Sequence, residues 1–257
     1  MKKIVFIAGL HRSGTSILHR IISTSEEATG FENTGVPEDE GQLLQSVFEP
    51  AGTYGGPGKF AFDKRAHLDE RSILVNDANR RILTKEWEKY WDPDRPIRIE
   101  KSPPNLIRTR FFQALFPEAY FITIIRHPIA VSFATQKWSR TGVDDLLRHW
   151  ITAHEIYQQD RRHLQRELTF SYEEMTSNCS EILANIQDFL GIKIDYQNQL
   201  EDKNGKYFNR WQRNDWWQFM KKKNQEGLID KYEAAINRFG YSLKDLKKYP
   251  ATIPECV

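Results

Sequence analysis

The residues that could do chemistry begin almost at the start of the chain. "GLHRSGTS" sets Arg12 and the hydroxyls of Ser13, Thr15 and Ser16 in a glycine-bearing turn before an apolar segment. Such a turn between a strand and a helix aims backbone N–H groups and a helix N-terminus at one anion. The phosphate-loop pattern G-x-x-x-x-G-K-[ST] is met at Gly9, Gly14 and Ser16, but Thr15 stands where the lysine would be. Arg12 offers a planar fork of donors suited to a tetrahedral oxyanion in its place. A second arginine, Arg126, closes the apolar run "YFITII". A nucleoside triphosphatase would carry a magnesium-binding acid at such a strand end. Glu100 on "IRIEK" could substitute, but the adjacent Lys101 competes for its charge and offers it an ion pair. Two cationic sites and no clear metal site fit a ligand with two separated anionic groups better than MgATP.

These residues need elements to position them. Ile4 to Ala8 reads as a buried parallel strand, and Ile17, Leu18, Ile21 and Ile22 have helical spacing over Gly14 to about Ser25. "IRIEK" (97–101), "AYFITII" (119–125) and "ELTFS", ending near Ser171, are further strands. Helices are predicted over 68–91, from Pro104 to about Leu115, and over 129–138, 143–164 and 180–191. A short helix near Gln42–Phe48 interrupts a loop rich in glycine and proline, and two short helices fall in the aromatic, basic remainder. Strands alternating with helices predict an α/β fold. The expectation is a single three-layer domain over residues 1–257, its parallel sheet with P-loop NTPase-like topology.

Bulk properties narrow the partners. The chain has 257 residues, enough for one sizeable core, and a formal net charge of +2, which gives no basic coat for nucleic acid. Cys179 and Cys256 form neither a metal spacing nor a disulfide framework, which fits a cytoplasmic setting. No stretch approaches a membrane span. Trp211, Trp216 and Trp217 in "WQRNDWWQFMKKK" are expected to pack in the core or a lid.

The two arginine sites in this order resemble the sulfotransferases that use 3′-phosphoadenosine 5′-phosphosulfate. The resemblance covers residues 4 to 192: "RSGTS" (12–16) looks like the motif that binds the 5′-phosphosulfate, "IIRHPIAVS" like the one that holds the 3′-phosphate, and "LTFSYEEMTSN…ILANIQDFLGI" like a late family segment. An arginine in the first motif is closer to the tyrosylprotein and bacterial branches than to the cytosolic small-molecule branch. The resemblance implies metal-independent, in-line transfer of a sulfuryl group to an acceptor hydroxyl or amine, with adenosine 3′,5′-bisphosphate as product. Arg12, Ser13, Gly14, Thr15 and Ser16 would bind the phosphosulfate, and Lys101 in "EKSPP" would join Arg12 in stabilising the leaving group. The family's 3′-phosphate serine falls here on Ala134, so Ser132 is the candidate partner of Arg126. Tyr172 would pack near the adenine and Lys206 in "NGKYFNRW" near the 3′-phosphate. A general base is expected in "GFENTGVPEDEGQ": Glu38 or Glu40, with Glu32 in reserve, since the position of that branch's glutamate falls on Asn33. The acceptor could be a carbohydrate, a peptide tyrosine, a lipid or a small alcohol. The rival expectations are a P-loop nucleotide kinase or NTPase, and a nucleotide-binding protein without catalysis.

Overall fold

The computed structural model describes residues 2–213 and 218–250; Trp216, Trp217 and Cys256 lie outside them. Five strands, β1 (Lys3–Ala8), β2 (Ala28–Thr29), β3 (Ile97–Lys101), β4 (Tyr120–Ile125) and β5 (Glu167–Ser171), form one parallel sheet. Its order is β2-β3-β1-β4-β5. The helices are α1 (Thr15–Ile22), α2 (Asp77–Trp87), α3 (Thr109–Leu115), α4 (Pro128–Ser139), α5 (Val143–Arg161), α6 (Tyr172–Ser177), α7 (Cys179–Leu190), α8 (Gly205–Gln212) and α9 (Gln218–Asn237). With β1 central and Ile7 paired to both Lys101 and Ile122, the strand ends that carry Arg12, Lys101 and Arg126 open side by side.

Strand alternation sorts the core into layers. Val5, Ile7, Ile97, Ile99, Ile122 and Ile124 face α1 and α7, burying Leu18, Ile21, Ile186 and Leu190. Phe6 and Phe121 point the other way, against Leu83 and Trp87 of α2 and Phe111 and Phe112 of α3. Phe6 stacks on Phe112 with ring centroids 4.3 Å apart. On that same side, α4, α5 and α9 close around Trp150 and Phe239. The α/β sheet with helices on both faces is as the alternation predicts.

Several elements differ from the reading of the sequence. The helix expected over 68–91 is only Asp77–Trp87, because the Asn76 side chain caps it by accepting from Asn79 N at 2.9 Å. Residues before it are held in turns by pairs such as Asp69 with Arg71. Near Gln42–Phe48 only a 3₁₀ turn, Gly41–Leu43, is present. The helix expected from Pro104 begins as a 3₁₀ turn, Pro103–Ile107, and becomes α-helical at Thr109. β2 was not legible, being two residues long. Ser171 ends β5 and caps α6 through a capping box with Glu174. In the remainder, α9 is a twenty-residue helix, not a short one. Trp211 is buried, its ring 6.3 Å from that of Phe133, with Nε1 donating to Leu243 O.

Candidate active site

The loop after β1 is shaped by two glycines. Gly9 has φ +149°, and a Cβ there would stand 2.4 Å from Ile124 O, so a side chain would push β1 from β4. Gly14 has φ +110° and stands at the N-cap of α1; among the described residues no side chain caps that helix. The Tyr172 ring lies against Gly14, where a Cβ would approach it to 3.0 Å. Arg12 is exposed and left-handed at φ 71°. Ser13 is fully buried, with its Oγ unpartnered among the described residues.

Arg126 reaches this loop from the end of β4. Its NH1 donates to Arg12 O at 2.8 Å and its Nε to Asn204 Oδ1 at 2.8 Å. Its guanidinium carbon sits 3.9 Å from the centre of the Tyr172 ring and 5.8 Å from that of Tyr207. The side chain is buried, yet NH2 has no protein partner among the described residues. Trp150 Nε1 donates to Arg126 O and fixes the backbone. Tyr172 is held by its hydroxyl, which donates to Glu201 O and accepts from Lys203 N.

Lys101 shares the pleat direction of Ile97 and Ile99, toward α1. Its Nζ donates to Glu38 O at 2.6 Å and lies 4.0 Å from Glu40 Oε1. Ser16 Oγ donates to Glu38 Oε2 at 3.1 Å. Loop hydroxyl, lysine and both candidate carboxylates therefore meet. The ion pair of Lys101 with Glu100 does not form, because adjacent strand residues face opposite ways. Glu100 instead accepts from Ser102 Oγ at 2.5 Å and from Asn105 Nδ2. Burial pushes its carboxyl up to about 7.

Glu40 is buried and its carboxyl is raised by burial; Lys101 and a hydrogen bond from Gln42 pull the other way. Gln42 is itself fixed, with its N donating to Ser102 Oγ and its Oε1 accepting from Ala51 N. Glu38 is exposed, and Glu38 and Asp39 both have positive φ, 54° and 49°. Asp39 accepts from Thr34 N and Oγ1, which lowers its carboxyl. His11 is driven to about 3 by burial, then by the charges of Lys101 and Arg12, so it is neutral.

Other candidates fall elsewhere. Glu32 is exposed and lines a separate cavity with Ser23, Thr29, Tyr90, Asp92 and Arg95. Ser132 lines a small cavity with Leu10, His11, Gly58, Thr135 and His149; Arg126 is not among its lining residues. Lys206 is exposed in the first turn of α8, its Nζ 4.9 Å from the Tyr207 ring. Sequence reasoning missed Gln42, Glu173 and Asn204. Nothing local marks Glu173 or Asn204.

This geometry can be set beside known proteins. The model of the sulfotransferase family matches residues 5–196. The chain belongs to that family. The match takes in the Arg12 loop, the Glu38–Glu40 segment, Lys101, Arg126 and Tyr172. The chain is 24% identical over 201 residues to chicken protein-tyrosine sulfotransferase 2, covering 74% of this chain and 51% of that protein. It thus spans about half the length of this curated sulfotransferase relative. Among solved structures, the sulfotransferase domain from the curacin biosynthetic pathway superposes with a TM-score of 0.50 at 15% identity, covering 89% of this chain and 98% of that one. That likeness concerns the fold: a parallel sheet between helical layers.

Proposed function

We propose that the protein transfers a sulfuryl group from 3′-phosphoadenosine 5′-phosphosulfate to an acceptor hydroxyl or amine. The observation that carries the reading is the pairing of an uncapped, arginine-bearing loop with Arg126, buried beside it and keeping NH2 unpartnered. A donor with a phosphosulfate and a distant phosphate fits both. When bound, this nucleotide supplies the sulfuryl group and leaves with negative charge growing on its bridging oxygen.

Arg12, the loop N–H groups and the hydroxyls of Ser13, Thr15 and Ser16 would hold the phosphosulfate. Lys101, anchored on Glu38 O, faces the same loop and would stabilise the developing charge. Arg126 and Lys206 would hold the 3′-phosphate, with Tyr172 beside the adenine and Ser132 left to the His11 cavity. Glu40 is the better placed base: burial lifts its proton affinity toward the working range, and Gln42 fixes its orientation. Exposed Glu38 would orient Ser16. Acceptors in view are a peptide tyrosine, a sugar, a lipid or a small alcohol.

The test is a labelled-sulfate transfer assay over a mixed acceptor panel. Transfer is expected without added magnesium, falling about a hundredfold or more in Arg12→Ala and Lys101→Ala. If MgATP protects the protein from heat and adenosine 3′,5′-bisphosphate does not, the reading fails.

A further inference from the structure

Asn204 immediately precedes α8, far from Arg126 in sequence, yet the two are joined side chain to side chain. Its amide is held from both ends. Oδ1 accepts from Arg126 Nε at 2.8 Å, and Nδ2 donates to Glu173 Oε1 at 2.7 Å. A guanidinium only donates, and a carboxylate only accepts. The amide can satisfy both in one orientation only. Glu173 is fixed in turn: Oε1 also accepts from His127 N at 3.1 Å, and Oε2 accepts from Tyr241 OH at 3.1 Å. All five residues are buried. With Nε taken by Asn204, NH1 by Arg12 O and the flat face by Tyr172, the guanidinium has one defined aim and NH2 is the group left to a ligand.

We infer that Asn204 and Glu173 are positioning residues that aim Arg126 at the 3′-phosphate and so set the preference for a 3′-phosphorylated nucleotide. The inference rests on the proposed reading of Arg126. It also links that phosphate to α8. Asn204 O accepts from Tyr207 N and Phe208 N in the first turn, so whatever steadies Arg126 steadies the start of this helix.

The test is calorimetric titration of the whole chain with adenosine 3′,5′-bisphosphate and with adenosine 5′-monophosphate. The wild type should prefer the bisphosphate. Asn204→Asp sets a second acceptor against Glu173 and a competing charge against Arg126. It should cut the preference at least about tenfold, with affinity for the monophosphate unchanged. Asn204→Ala should also cut it. Glu173→Ala should lose the preference and Glu173→Gln should restore most of it, because the amide oxygen still accepts from His127 N and Asn204. Hydrogen exchange should show the bisphosphate protecting amides in 205–212 of the wild type but not of Arg126→Ala. If both Asn204 variants keep the preference while Arg126→Ala abolishes it, the inference is wrong and the reading of Arg126 stands. A wild type that does not distinguish the two nucleotides overturns the reading and the inference together.

Discussion

At the residue scale, Glu100 ties the protein's stability to pH. Its carboxyl is raised from 4.5 to about 7 by burial. The folded state therefore binds a proton more tightly than the unfolded one. Stability from this group is fully present below about 4.5 and is lost as pH rises through 7, by about 3 kcal/mol in all. Chemical denaturation of the wild type and Glu100→Gln at pH 5 to 8 should show this slope in the former and a flatter profile in the latter. The carboxylates near Lys101 separate by activity instead. Glu40→Gln should lower kcat about a hundredfold or more with little change in donor binding, and Glu38→Gln should do less; the readout is transfer kinetics. Of this site, Arg12, Lys101 and Arg126 were legible because strand-end cations beside a glycine loop have a local signature. Asn204 and Glu173 were not, because their meaning comes from side chains that only the fold brings together.

At the element scale, the β1–α1 turn tolerates little change. Gly9→Ala would bring a methyl within 2.4 Å of Ile124 O, a backbone atom that cannot move without shifting β4. A loss of about 2 kcal/mol or more in urea denaturation is the expected outcome. The order of long elements could be read beforehand because β1 and β4 are apolar runs, β3 and β5 alternate apolar with polar residues, and α1, α5 and α7 keep clear periodicity. The ends of α2 and α3 could not. Asn76 resets one by its cap, and the Pro103–Pro104 pair delays the other through a 3₁₀ turn. Residues 30–60 read as loop with one short helix; what the sequence did not show is that the short turns there follow side-chain anchors, not periodicity.

On the scale of the whole molecule, those anchors fasten a long, irregular strap across the helices. Arg108, almost fully buried, donates to Ala66 O at 3.1 Å and to Glu49 O at 3.0 Å. Ala61 N donates to His149 Nε2, and His67 pairs with buried Asp160. Arg108→Met would leave two carbonyls unpaired, so a loss of about 2–4 kcal/mol and faster amide exchange over 49–66 are expected. The strap begins beside the Glu38–Asp39 pair, whose left-handed backbone is costly for residues other than glycine, about 1 kcal/mol each. Glu38→Gly should therefore raise the melting temperature while transfer falls. A population selected only for heat resistance would accumulate glycine at this corner and drift away from turnover. The Glu38 side chain would persist there only while the reaction itself is under selection, whereas Asp39 also anchors Thr34.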